Sequence, residues 1–221
     1  MAKERVWAVI VAAGSGSRFG GPKQFTQLGG RAVLCWSLET ARKVCAGVVL
    51  VLPPEGFPLG WQSGDLDADA TVVGGKTRSA SVREGLCAVP QSAEIIVVHD
   101  AARPLASAGL FTLVLEALAD GADGAIPVLP IPDTVKRLEG ERVAATIDRS
   151  GLVLAQTPQA FLSRSLRTAH QGWIDSTDDA SLVEAAGGTV VAVPGEPQNL
   201  KLTTPADLEV LEALASRYKL R

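Results

Sequence analysis

Histidine, methionine and tyrosine are nearly missing from this 221-residue chain, which has two, one and one of them. Two histidines leave little for chemistry built on a histidine base or histidine metal ligands. The three cysteines, Cys35, Cys45 and Cys87, are odd in number and have neither CxxC nor histidine-paired spacing. They read as small buried hydrophobes in a reducing compartment, which argues against a structural metal site. Long apolar runs are missing too. The longest, Val6 to Ala13, has eight residues, against the roughly 20 that cross a bilayer. It follows Lys3, Glu4 and Arg5 but leads into Gly14 with no cleavage site, so it reads as a buried strand and not a secretory signal. No membrane span and no exported leader are expected, and the location expected is cytoplasmic.

Acidic residues are absent from Val6 to Leu38, where Arg18, Lys23 and Arg31 stand. The overall net charge of −3 excludes a general nucleic-acid coat. It also hides an asymmetry, because residues 1–50 carry seven basic and two acidic side chains while the remainder is net acidic. The N-terminal loop is therefore electropositive. What is present, 47% hydrophobic and 20% charged residues, describes a globular chain able to bury one core.

Short Val- and Ile-rich runs alternate with segments of helical period, the pattern of βαβ units and a mainly parallel sheet. Strands are predicted at Val6–Ala13, Val48–Leu52, Thr71–Val73, Ile95–His99, Ala125–Leu129 and Thr189–Val193. Helices are predicted at Ala32–Lys43, Thr77–Ala88, Ala106–Asp120, Phe161–Gln171 and Thr177–Ala186. A last helix is opened by Thr204, Pro205 and Asp207 and ends near Arg221. Pro127 places its strand at an edge or an end. Pro53–Asp69 reads as a surface loop, and Asp133–Ile147, turning at Glu139-Gly140, as a projecting β-hairpin. The chain thus reads as one α/β domain, 1–221, with an arm at about 131–150; Met1 and the terminal helix predict a complete, single-function chain.

The segment Val9–Phe25, VIVAAGSGSRFGGPKQF, carries the chemistry. A buried strand ends in small residues, Ala12-Ala13-Gly14, and a loop follows with Gly14, Gly16, Gly20 and Gly21 beside Arg18 and Lys23. Exposed backbone N–H groups and two cations make a cradle for a polyphosphate. The dinucleotide fingerprint fails because Phe19 stands where its third glycine belongs and no acid follows near position 34. A Walker A loop fails at Pro22, and Gly75-Lys76-Thr77 fails because Ala70 stands where a glycine is needed. Asp100, just past a buried apolar strand, is a candidate ligand. His99 reads as a packed structural residue, His170 as exposed, and Asp178 and Asp179 as first-turn helix charges.

The form xAAGxGxRxG…PKQ resembles the nucleotidyltransferase signature. Gly74–Val82 (GGKTRSASV), Val97–Pro104 (VVHDAARP), Asp133–Lys136 (DTVK), Asp148-Arg149, Gln156–Gln159 (QTPQ), Thr177–Ala180 (TDDA) and Asn199–Lys201 (NLK) follow in order. Together, over residues 9–201, they resemble the 2-C-methyl-D-erythritol 4-phosphate cytidylyltransferases of the non-mevalonate isoprenoid pathway. The resemblance implies a Rossmann-like nucleotidyltransferase fold, with a mainly parallel twisted sheet flanked by helices and a protruding hairpin arm. It also implies transfer of cytidylyl from CTP with Mg²⁺.

The same resemblance assigns residues. Ala12, Ala13 and Gly14 would contact cytidine and Gly16 the phosphate turn, with Arg18, Lys23 and Lys201 as the cations of the reaction. Gly75 and Ser81 would read cytosine, and Asp100 would face Mg²⁺ or substrate hydroxyls. Arg149, Thr157 and Thr177 would form the acceptor pocket, while Arg103, Thr134 and Lys136 would complete a partner's site in a homodimer. Lys76 is given no role. Neither nucleic acid nor membrane is an implied partner. The competing readings are a ribitol 5-phosphate cytidylyltransferase, an inactive nucleotide-binding module and, least favoured, an NAD-dependent oxidoreductase.

Overall fold

The computed structural model describes residues 3–56, 66–172 and 175–218. Part of the predicted Pro53–Asp69 loop (57–65) and the last three residues of the predicted terminal helix lie outside the described residues. The first strand, β1 (Val6–Val11), is flanked in parallel by β4 (Gly47–Leu52) and β6 (Ile95–Asp100), with Val9 beside both Val49 and Val98. All residues of β4 and β6 are buried, as near-continuous apolar runs covered on both faces must be. β5 (Ala70–Val73) pairs with β4 and closes one side of an eight-stranded sheet.

Alternation along β1 feeds two cores. Ala8 and Ile10 pack with α1 (Val33–Val44) and α3 (Ala108–Glu116). Val9 packs on the opposite face with α2 (Arg78–Ala88), α4 (Ser163–His170) and α5 (Ala180–Ala185). The result is a three-layer α/β/α arrangement. A third cluster seats the terminal helix α6 (Pro205–Tyr218) through Leu211 and Ala215 on Leu28 and Leu202. Leu28 belongs to a short hairpin, β2 (Gln27–Leu28) with β3 (Arg31–Ala32), that the sequence pattern does not reveal. This cluster fastens the C-terminal segment next to the glycine loop.

The other half of the sheet departs from expectation. Phe161 and Leu162 do not open a helix but end the strand β11 (Gln159–Leu162), antiparallel to β6, with Phe161 fully buried. β7 (Gly124–Pro130) is not an edge strand, since β12 (Val190–Pro194) pairs along one side of it. On its other side β11 stops at Ala125 and β10 (Val153–Ala155) begins at Val128. Pro127 is tolerated there because its missing N–H falls in the gap between those two strands, where its carbonyl accepts from Gln156 N at 2.8 Å. The arm is a separate two-stranded sheet, β8 (Val135–Glu139) and β9 (Arg142–Ile147). Among the described residues no helix is long and apolar enough to cross a membrane.

Gly85 lets α2 lie directly on the sheet, for a Cβ there would meet Val9 Cγ1 at 2.5 Å and Val51 Cγ2 at 3.0 Å. Glycine to alanine in a helix interior ordinarily gains about 0.5–1 kcal/mol, but overpacking a core costs about 1–3 kcal/mol. Gly85→Ala is therefore expected to lower the melting temperature. An equal or higher value would show that the helix has room to shift.

Candidate active site

The loop after β1 is folded onto itself. Gly16 adopts φ +68°, and a Cβ on it would lie 1.8 Å from the carbonyl oxygen of Gly21. Its own carbonyl accepts from the N–H groups of Phe19, Gly20 and Gly21 at 2.8, 3.0 and 3.2 Å. A tight knot of backbone thus follows the strand, and Lys23 N donates to Gly21 O at 2.8 Å as the chain leaves it. Only glycine meets both demands at position 16.

Beside this loop, at the carboxyl ends of β1 and β6, lies an open cleft of about 480 Å³. Ala12, Ala13, Gly14 and Gly16 line one wall, with Arg18 and Lys23; Gly75 and Ser81 line another, and Asp100 and Lys201 a third. Ten residues singled out in the sequence are brought together. Lys23 is half-buried, and burial, then the nearby charges of Lys201 and Arg18, push its ammonium below the ordinary lysine range. Such a cluster of like charges favours a polyanion. At the wall formed by the start of α2, Thr77 Oγ1 accepts from Ala80 N at 3.1 Å, and Ser81 Oγ donates towards the carbonyls of Thr77 and Gly75 at 2.9 and 3.3 Å.

Asp100 is the hub. Its Oδ2 accepts from Lys201 Nζ at 2.6 Å and its Oδ1 from Arg78 Nε at 3.2 Å. Burial alone would raise its carboxyl, but Arg78 and Lys201 outweigh that and hold it well below the usual range. Lys201 reaches this position because Leu202 N donates to Ala102 O at 2.8 Å and Arg103 Nη1 donates to Asn199 O at 2.8 Å. Arg78, to which neither local pattern nor the family resemblance assigns a role, also lines the cleft.

Thr157 is placed beneath the cleft and not in it. Its buried hydroxyl accepts from Asp100 N at 3.0 Å and donates to His99 Nδ1 at 3.1 Å, leaving His99 Nε2 to donate to Arg103 O at 3.2 Å. That network assigns the neutral Nε2–H tautomer. His99 is fully buried, as expected of a packed residue, and burial pushes its pKa down to about 4. His170 is not exposed, and Asp179 is not a surface helix charge: they are 4% and 0% exposed and bonded to each other, His170 Nε2 to Asp179 Oδ1, at 2.9 Å. Sequence alone had no signal for a pairing that depends on α4 folding back over α5.

The remaining predicted residues lie apart from the cleft lining. Arg103 uses its guanidinium within the chain, on Asn199 O and, at 3.4 Å, on Ala155 O. Arg149, at the foot of the arm, donates to the carbonyls of Ile131 and Asp133. Thr134 is exposed just before β8, Lys136 Nζ donates to Thr146 Oγ1 across the arm, and Thr177 is exposed beside Ser176, which is bonded to Ser79.

Among the described residues no group of three His, Cys, Asp or Glu is placed to hold a metal. The acidic residues lining the cleft are Asp100 and Glu55. One or two carboxylates are what Mg²⁺ takes from a protein when substrate phosphates and waters fill the rest of its octahedron, so the donor set fits that ion.

A cleft that offers the cations Arg18, Lys23 and Lys201, with no histidine or cysteine among its described lining residues, suits a ligand that brings its own ionised nucleophile. On a Rossmann-like α/β sheet with a glycine turn after the first strand, that defines the nucleotidyltransferase class. The sequence model of one family, IspD: 2-C-methyl-D-erythritol 4-phosphate cytidylyltransferase, matches residues 6–217. The chain belongs to this family. It is 42% identical to the 2-C-methyl-D-erythritol 4-phosphate cytidylyltransferase of Rubrobacter xylanophilus, covering 96% of each chain. The crystal structure of the enzyme of that name from Thermus thermophilus superposes with a TM-score of 0.81 at 41% identity, over 94% of this chain and 98% of that one. It is also 44% identical to the bifunctional enzyme IspD/IspF of Solidesulfovibrio magneticus over 96% of this chain, and spans 57% of that relative's length.

Proposed function

We propose that the chain transfers cytidylyl from CTP to 2-C-methyl-D-erythritol 4-phosphate, giving 4-diphosphocytidyl-2-C-methyl-D-erythritol and pyrophosphate. The observation that carries this is the convergence of Lys23, Arg18 and Lys201 on one cleft beside the glycine turn, in a member of this family. A phosphate oxygen of the acceptor attacks the α-phosphorus of CTP in line. The new P–O bond forms as the bond to the β-phosphate oxygen breaks, and pyrophosphate leaves with that electron pair. The acceptor phosphate is largely dianionic near pH 7, its second pKa being about 6, so no general base is needed. Repulsion between two anions is the obstacle, and positioned cations remove it.

Arg18 and Lys23 hold the triphosphate and Lys201 the α-phosphate, while Gly75 O and Ser81 read the cytosine edge and Ala12, Ala13 and Gly14 pack on cytidine. Asp100 would hold Mg²⁺, which would supply positive charge for the departing pyrophosphate. Thr177 and Arg149 take the acceptor, with Thr157 supporting the pocket from below through Asp100. Pyrophosphate release from CTP, assayed with methylerythritol phosphate and with ribitol 5-phosphate, tests the reading; equal or greater turnover of the ribitol compound would overturn it. The three cysteines are free, Cys45 buried as expected but Cys35 only partly buried and Cys87 exposed; free thiols are in keeping with a cytoplasmic location.

The reading includes a homodimer in which Arg103, Thr134 and Lys136 complete the partner's site. Leu138 and Val143 on the arm, with Leu152, Val153 and Leu154 beside it, are exposed apolar side chains, which supports burial against a second copy. Thr134→Val and Arg149→Ala variants are each expected to be impaired. Their mixture should regain about one quarter of parental turnover, because random pairing leaves one intact site in each heterodimer. A mixture no more active than the mean of its components would refute shared sites.

A further inference from the structure

Arg78 has no part in the reaction described above, yet it stands between two carboxylates. Its Nε donates to Asp100 Oδ1 at 3.2 Å and its Nη1 to Asp179 Oδ2 at 2.7 Å. Asp179 accepts from His170 Nε2 at 2.9 Å with its other oxygen, and its N–H donates to Gln159 Oε1 at 3.3 Å. Burial alone would raise the Asp179 carboxyl, but Arg78 and His170 hold it below its ordinary range. A row of contacts thus runs from the end of α4, through the residue before α5, to the first residue of α2, and on to the end of β6 and Lys201. Burying such charges is costly, and packing alone would be served as well or better by apolar residues of similar volume.

We propose that Arg78, clamped by the buried Asp179–His170 pair, is the positioning residue that fixes the Asp100 carboxylate and, through it, the Lys201 ammonium. The proposal rests on the reading of Asp100 and Lys201 as part of the nucleotide site. A carboxylate rotates easily about its terminal torsion, and Lys201, with 39% of its side chain exposed, can swing into solvent. Arg78 removes the first freedom, and the oriented Asp100 removes the second. The two N–H groups of the fork point at different carboxylates, a division that a single ammonium cannot reproduce.

The test is a double-mutant cycle on the full chain, read as CTP-dependent pyrophosphate release together with the melting temperature. Asp179→Asn keeps the shape and removes the charge that holds Arg78; it is expected to lower kcat by about 10- to 100-fold through misplacement of the reacting groups. KM for CTP should stay within about threefold, and on an Asp100→Asn background the same change should cost less than about threefold further. The same loss on both backgrounds would overturn the relay while leaving the site intact. Full turnover by Asp100→Asn would overturn the relay and the site reading together. Should Asp179→Asn not fold, Arg78→Lys serves in its place. It is expected to lose turnover to a similar extent, and near-parental turnover would overturn the proposal.

Discussion

Lys23→Ala is expected to lower kcat/KM for CTP by about 10²–10³ and to leave the melting temperature unchanged or slightly higher. The two halves of that expectation have one cause. In the free protein the Lys23 ammonium is disfavoured, first by burial and then by Lys201 and Arg18, so its removal relieves a repulsion and breaks no ion pair found for it. With a triphosphate present the balance reverses, because three cations then face a polyanion. The loss falls on turnover as well as on binding, since charge moves onto the leaving pyrophosphate in the transition state. Arg18→Ala should follow the same pattern. Near-normal turnover in either variant, measured by pyrophosphate release alongside thermal denaturation, would show that the cradle is wrongly placed.

How much of this was legible in the chain follows from how local each signal is. The cradle was legible, because a buried strand, its small terminal residues and the glycine turn are neighbours in sequence, and Phe19 and Pro22 were enough to exclude the rival loops. Asp100 was legible as a polar residue ending an apolar strand. Lys201 was chosen only through the family resemblance, because what makes it matter is a 2.6 Å contact with a residue 101 positions away. The Arg78–Asp179–His170 row was hidden for the same reason. Asp179 has the look of a helix-start charge and His170 that of a helix-end residue until α4 and α5 pack against α2. Phe161 failed differently: Phe161 and Leu162 run into Leu166 at helical spacing, and nothing local reveals that the first two are buried in the sheet. A proline at position 127 points to an edge or an end of the sheet, and only the break between β10 and β11 makes an interior position free of cost.

Acid is expected to weaken the fold well before the carboxylates titrate, because of His99. Its pKa, pushed down to about 4 by burial and lowered further by Arg103 and Lys201 against the opposing pull of Asp100, lies below the unfolded value of about 6.5. Between those two values the unfolded chain binds a proton that the folded chain refuses, so stability rises with pH across that window and is lost as pH falls through it. The maximal slope is about 1.4 kcal/mol per pH unit, or roughly 3 kcal/mol from pH 7 to pH 4. The hydrogen bonds give the reason: Nδ1 accepts from Thr157 Oγ1, which itself accepts from Asp100 N, and a proton on Nδ1 would turn two donors against each other. Asp100 and Asp179, whose carboxyls are held low in the folded state, add their own loss only below about pH 4, as pH falls from the unfolded value through the folded one. Urea denaturation at pH 7, 6, 5 and 4.5 should therefore show the midpoint falling steadily, and His99→Gln should flatten that dependence. A parental midpoint that holds constant between pH 6.5 and 5, or a slope that survives His99→Gln, would mean that the His99 imidazole is not the group that links this fold to pH.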